Sequence, residues 1–161
     1  MKNTLFQKIK KKNYYIIAEI GNNHGGNIRK AKKLIIEAKN AGADAVKFQF
    51  INPQNLVSTI EEKRIKQLKK ICLKFDQFKY LKNFCEKKKI EFFTSIFDIN
   101  AINKFRKLQK IFKIASGDNN YYELLKRIST TKKPVIISTG LLDELELKKL
   151  NQQCQRPSKV L

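Results

Sequence analysis

YYIIAEIGNNHGG, residues 14–26, is the stretch whose reading decides the fold. An apolar run ends at the carboxylate of Glu19, and a turn crowded with Gly, Asn and the single histidine, His24, follows it. A strand that delivers polar groups into a Gly-rich loop is how an α/β protein builds a site at the carboxyl end of its sheet. Similar junctions recur downstream: VKFQF at 46–50, FFTSIFD at 92–98, FKIASGD at 112–118 and VIISTG at 135–140. Such a series predicts one site assembled from several strand ends.

Between the junctions the apolar spacing changes to a helical period. Asn27 is placed to cap a helix over 28–41, with Ile28, Ala31, Leu34, Ile35 and Ala38 on one face and Gly42 closing it. Helical patterns recur over 60–73, over 77–89 with Asp76 as cap, after Asp98, and over 121–130. A last one follows Asp143 and carries Leu145, Leu147 and Leu150. Pro53 predicts a loop after the second strand. The strands are predicted over 15–20, 45–50, 91–95, 111–115 and 135–138. Strand–helix alternation implies a parallel sheet with right-handed crossovers. A closed barrel needs eight strands and about 250 residues, and these 161 residues carry five strands. The chain therefore divides into a basic lead-in at 1–13, a partial barrel at 14–150 and an irregular tail at 151–161.

Composition bounds the function. The formal net charge is +21, from 35 basic residues against 14 acidic ones. Such an excess suits nucleic acid, an anionic membrane or an anionic substrate. The lysines are spread over the exposed faces of predicted helices, accompanied by abundant Asn, Ile and Phe, as in a lysine-rich coding bias. No recognised nucleic-acid module is present. The three cysteines, Cys72, Cys85 and Cys154, show no CxxC spacing and indicate neither a disulfide framework nor a zinc knuckle. Cys72 and Cys85 fall among apolar helix positions. No apolar run approaches the ~20 residues of a membrane span, and a cytoplasmic location is expected.

Individual residues sharpen the site. Glu19 reads either as an acid, base or orienting carboxylate, or as the ion-pair partner of a neighbouring lysine. Lys47 lies inside an apolar strand, where an unpaired ammonium is costly. It needs Glu19 or a bound anion, and Gln49 can support it. Lys113 and Ser116, with Ser138 on the next strand, combine an ammonium, hydroxyls and Gly-rich turns, which is what a phosphate dianion requires. Asp98 and Asp118 read equally well as helix caps. His24 is a loop histidine whose flanking glycines allow close backbone approach to a ligand.

In order and spacing, IIAEIGNNHGG, AGADAVKFQ, IEFFTSIFD, FKIASGD and PVIISTG closely resemble the sialic acid synthase family, which includes pseudaminic and legionaminic acid synthases. The resemblance covers about residues 14–142. It implies a TIM (β/α)8 barrel and a transferase condensing phosphoenolpyruvate with an N-acetylated amino sugar, with a divalent metal, manganese or magnesium. It implies that Glu19 stands at the reacting centre, that Lys47 and Thr94 meet the carboxylate end of phosphoenolpyruvate, and that Lys113, Ser116 and Ser138 cradle its phosphate. His24 is a further loop contact. The family's metal-binding histidines lie on later strands, so no metal ligand is expected within this chain. Where the family has Ser-Thr-Pro-Phe, this sequence reads Thr94-Ser95-Ile96-Phe97.

The resulting expectation is the amino-terminal part of such a barrel, truncated and inactive alone. The other reading is a non-catalytic fragment that at most binds a small anion. Uncovered strand edges predict self-association or a homo-oligomer. The final NQQCQRPSKVL, without apolar period, reads either as an ordinary polar tail or as out-of-frame sequence.

Overall fold

A computed structural model describes residue 9, residues 14–140 and residues 142–154. Apart from Ile9, the basic lead-in lies outside the described residues, as do residues 155–161 of the polar tail.

Five parallel strands pair in the order β1-β2-β3-β4-β5. They are β1 (Ile17–Gly21), β2 (Ala45–Phe50), β3 (Glu91–Ile96), β4 (Phe112–Ile114) and β5 (Val135–Ile137). The helices that follow β1 among the described residues are α1 (Ile28–Asn40), α2 (Pro53–Leu56), α3 (Glu62–Ile71), α4 (Phe75–Lys87), α5 (Ile102–Phe105), α6 (Tyr122–Ser129) and α7 (Glu144–Cys154). Single 3₁₀ turns at Ile99–Ala101 and Ser116–Asp118 follow β3 and β4. A doubly wound sheet reverses its strand order midway, whereas this one is wound in one direction. Right-handed crossovers then put the helices that connect these strands on one face. The strand order is therefore that of a barrel and not of a doubly wound sheet.

The two faces carry separate apolar groups. On the helix side, Val46, Phe48 and Phe92 pack with Ala31 and Ile35 of α1, Phe78, Leu81 and Cys85 of α4, and Ile102 and Phe105 of α5. Aromatic contacts tie this layer together, with ring centroids 4.8 Å apart for Phe50 and Phe105 and 5.4 Å for Phe78 and Phe105. Each such pair contributes about 0.5–1.5 kcal/mol beyond area burial. On the other face a smaller group, Ala45, Phe93 and Ile111, collects Ile9, Tyr15, Ile17 and Ile136. This face corresponds to a barrel interior.

Local chemistry explains the element ends. The Asn27 side chain accepts from the N–H groups of Arg29 and Lys30, as predicted. Gly42, at φ +87°, closes α1 with Gly42 N–H to Lys39 O at 3.1 Å and Ala43 N–H to Ala38 O at 3.0 Å. This is the paired bonding of a left-handed helix stop. Asp98 accepts from Asn100 N–H at 3.0 Å. Asp143 and Glu146 bond reciprocally, at 2.8 and 3.0 Å, across the first turn of α7.

Several expectations are corrected. Asp76 does not cap α4. The helix starts one residue before it, Gln77 Oε1 accepts from Lys74 N–H at 2.8 Å, and Asp76 pairs with Lys79. Pro53 opens the short α2, where its missing N–H is no loss. β1 begins two residues later than predicted and ends at Gly21. Among the α7 side chains described, only Leu150 is buried, while Leu145 and Leu147 are exposed. That helix continues to Cys154, into the stretch read as irregular tail. Cys85 is a buried core residue whose thiol is pushed up to about 12 by burial, and Cys72 is half-buried.

Candidate functional site

Register decides which strand residues face the barrel interior. In the β1–β2 ladder Glu19 pairs with Lys47, in β2–β3 Gln49 pairs with Ser95, and in β3–β4 Ser95 pairs with Lys113. Registered neighbours in a parallel sheet point to the same face, and side chains alternate along each strand. Phe93 faces the interior with Ala45 and Ile111, so Ser95, two residues on, does as well. Glu19, Lys47, Gln49, Ser95 and Lys113 therefore share one face near the carboxyl ends of β1 to β4.

Their contacts form two joined groups. Lys47 Nζ lies 2.6 Å from Glu19 Oε2 and donates to Ser95 Oγ at 3.2 Å. The Lys47 side chain is only 11% exposed, whereas that of Glu19 is 53% exposed. The ammonium is therefore the buried member of the pair, and the carboxylate reaches towards solvent. Next to it, Lys113 Nζ donates to Ile114 O at 2.6 Å and to Ser138 Oγ. Burial, and then the charge of Lys47, lower the Lys113 pKa to about 8, while Glu19 pulls it the other way. Two ammonium groups thus face one space, with Glu19 as their acidic counterweight.

The loops after the strands are fixed around these groups. The β1–β2 register shifts between Glu19 and Gly21. Gly21 takes φ +53°, and a Cβ there would stand 3.3 Å from Glu19 Oε1. Asn22 Nδ2 donates to Gln49 Oε1 at 2.8 Å, fixing the amide beside Lys47. Asn119, buried, donates from Nδ2 to Gly140 O at 3.0 Å and to Ser138 O at 3.3 Å, tying the turns after β4 and β5 together. A Cβ on Gly140 would meet Ser116 Cβ at 3.5 Å, so Ser116 approaches the strand-5 turn that carries Ser138. Burial raises the Asp118 carboxyl above its usual range.

Glu19, Lys47, Lys113, Ser116 and Ser138 are thus brought together, and Thr94 and His24 are not. Thr94 registers with Phe48, points to the helix side, and has a buried Oγ1 without a partner among the described residues. Ser95 occupies the interior position in its place. Two signals could have found it: the period-two alternation from Phe93, and the four-residue match in which the threonine of Ser-Thr-Pro-Phe falls on Ser95. His24 is 1% exposed and packs on Phe48, with centroids 5.9 Å apart. Its Nδ1 accepts from Gly26 N–H at 3.0 Å, and burial lowers its pKa. The close approach allowed by Gly26 is to protein. At φ +75° a Cβ there would lie 2.4 Å from Lys70 O, at the end of α3.

Fold and site together define a barrel-type α/β protein with a cationic site at the carboxyl ends of its strands. The chain belongs to the NeuB family, whose family model matches residues 34–159. It is 41% identical over 130 residues to an uncharacterized protein of Methanocaldococcus jannaschii, covering 80% of this chain and 38% of that one. It is 36% identical over 159 residues to N,N'-diacetyllegionaminic acid synthase of Campylobacter jejuni, covering 89% of this chain and 48% of that one. Among solved structures, the N-acetylneuraminic acid (sialic acid) synthetase of Leptospira borgpetersenii superposes with a TM-score of 0.85 at 31% identity, over 91% of this chain and 52% of that one. A 3-deoxy-D-arabino-heptulosonate 7-phosphate synthase of Thermotoga maritima, at 14% identity and a TM-score of 0.68, shares the fold alone. The chain spans about half the length, or less, of the relatives it matches.

No cluster of three His, Cys, Asp or Glu able to hold a metal occurs among the described residues. His24 Nδ1 accepts from Gly26 N–H, and its Nε2 is buried on the helix side without a hydrogen-bond partner among the described residues. The described residues do not fit a divalent metal. No helix among them is long and apolar enough to cross a membrane.

Proposed function

We propose that this chain supplies the phosphoenolpyruvate-binding half of a transferase that joins phosphoenolpyruvate to an N-acetylated amino sugar and forms a sialic acid-type nonulosonate. The observation that carries this reading is the shared face of Lys47 and Lys113, with Ser95 and Ser138 on their ammonium groups. Phosphoenolpyruvate carries a carboxylate and a phosphate on adjacent carbon and oxygen. Two ammonium groups in a partly desolvated site match that separation of charge better than either would alone.

In this reading the carboxylate sits at Lys47 and Ser95, and the phosphate at Lys113, Ser116 and Ser138. The methylene carbon of phosphoenolpyruvate attacks the open-chain aldehyde of the sugar, forming the carbon–carbon bond while the carbonyl oxygen takes a proton. Water then adds at the enol carbon, and the bond from that carbon to the phosphate oxygen breaks to release inorganic phosphate. In this reading Glu19, half-exposed beside Lys47, orients or deprotonates that water. Lys113 is placed to offset the charge growing on the leaving phosphate.

The binding test is calorimetric titration of phosphoenolpyruvate into wild type, Lys47→Ala and Lys113→Ala. One charge-assisted contact is worth roughly 1.5–3 kcal/mol, so each substitution is expected to weaken binding about tenfold or more. Equal affinity in all three proteins would contradict the assignment. Binding of the anion without any sugar-dependent release of phosphate would favour the second reading, a small-anion-binding chain without turnover.

A further inference from the structure

Gln109 lies in the turn between α5 and β4 and is 2% exposed. Its Oε1 accepts from Thr94 N–H at 2.8 Å, but its Nε2 is buried without a partner among the described residues. A core amide with half of its hydrogen bonds unmade is costly, and such a group calls for an explanation. An aliphatic side chain would fill the space without that cost. The explanation lies in what Oε1 holds. The β3–β4 ladder registers at Ser95 and Lys113. Thr94 sits one residue before that pair, where its N–H donates to the side chain of Gln109.

The turn carrying Gln109 is itself clamped. Gln109 N–H donates to Phe105 O at 3.1 Å. The ammonium of Lys133 donates to the carbonyls of both Arg106 and Gln109. From this anchored turn the amide reaches the β3 backbone, and the next residue along β3 is Ser95, whose Oγ accepts from Lys47 Nζ.

We propose that Gln109 is a positioning residue: its amide oxygen holds the β3 backbone at Thr94, so that Ser95 is presented to Lys47 and stays in register with Lys113. The proposal rests on the reading of Lys47 and Lys113 as the anion site, but one part of it is measurable without any anion. Releasing Thr94 opens the seam between β3 and β4 to water, which relieves the burial acting on Lys113. Lys47 and Glu19 are the charged groups bearing on that ammonium.

The experiment uses the whole chain with lysine side chains labelled for NMR and compares wild type, Gln109→Met and Ile35→Ala. Ile35, buried in α1, serves as a control that lowers stability without touching the β3–β4 seam. In Q109M the Lys113 titration midpoint is expected to rise from about 8 towards its ordinary 10.5. Affinity for inorganic phosphate is expected to fall about tenfold, which corresponds to about 1.4 kcal/mol. In the Ile35 variant the midpoint stays in place although the thermal midpoint drops. If Q109M fails to fold, Gln109→Asn, which withdraws the acceptor by one methylene, is read in the same way. An unchanged Lys113 midpoint in the Gln109 variant, or an equal rise in both variants, overturns the proposal. Absence of phosphate binding in wild type would instead overturn the anion-site reading, and the midpoint comparison would still decide the role of Gln109.

Discussion

Ser95 and Lys113 are register partners across the β3–β4 seam, and the same serine accepts a hydrogen bond from Lys47 at 3.2 Å. One hydroxyl therefore sits between the two lysines that define the site. The neighbouring Thr94, one residue earlier, registers with Phe48 and faces the opposite layer.

Substitution at these adjacent positions should separate sharply. Ser95→Ala is expected to weaken phosphoenolpyruvate binding several-fold, because Lys47 loses a partner that holds it in place. Thr94→Val removes a buried hydroxyl that has no partner among the described residues. It should leave affinity within about twofold and stability unchanged or slightly higher, since removing an unsatisfied polar group relieves a desolvation cost. Calorimetry and urea unfolding of both variants check this, and a larger binding loss for the Thr94 variant would reverse the assignment.

Glu19→Gln should move two properties in opposite directions. Lys47 is buried and loses its carboxylate partner at 2.6 Å. Because Lys47 is the buried member of the pair and keeps only Ser95 as a partner among the described residues, the stability loss should exceed the ~1 kcal/mol or less of a surface pair. Phosphate should bind several-fold more tightly, because a competing anion has been removed from the ammonium. Weaker phosphate binding in this variant would show that Glu19 does not oppose the anion.

His24 is expected to matter for folding and not for binding. Replacing it with Phe preserves a ring packed against Phe48 but leaves Gly26 N–H without its acceptor. The expected loss is about 1 kcal/mol in urea unfolding, with unaltered affinity for phosphoenolpyruvate. A selective loss of binding would restore His24 to the site.

The depressed Lys113 pKa fixes the sign of two pH effects. Its folded value is about 8 against an ordinary 10.5, so between those values the unfolded chain binds more protons than the folded one. The contribution of this group to stability therefore rises with pH through that window and is unfavourable below it. Anion binding behaves inversely: as Lys113 loses its proton above about pH 8, phosphate affinity should fall. Titrations between about pH 6.5 and 9.5, roughly 1.5 pH units either side of that value, should show that fall in wild type and a flatter profile in Lys113→Ala.

Much of the fold was legible because each junction of apolar run and Gly-rich turn is a local signal. The strand–helix order, the Asn27, Asp98 and Asp143 caps and the Gly42 stop depend on neighbours within a few residues. The cap of α4 was misread because a charged residue near a helix start suits either the cap or the first turn, and Lys74 with Gln77 took the cap. Side-chain direction at the end of β3 was harder. Phe92, Phe93, Thr94 and Ser95 are all buried, so their burial shows no alternation, and the face of each has to be counted by twos from Phe93 or read from the pairing with Lys47 and Lys113. The glycines beside His24 were legible as a close approach, but sequence carries no sign that the approaching atom is Lys70 O. Gln109 was invisible for a related reason: its partner is a backbone N–H fifteen residues away.

With a formal charge of +21, any small anion will meet lysines over the whole helix layer, so affinity alone is a weak arbiter. The most direct test of the Lys47–Lys113 site is lysine side-chain NMR during titration with phosphoenolpyruvate. The account predicts that Lys47 and Lys113 respond first and together, and that the Lys113 midpoint rises from about 8 as the anion binds. A response spread over exposed helix lysines such as Lys66, Lys79 and Lys148, with Lys47 and Lys113 unmoved, would contradict it.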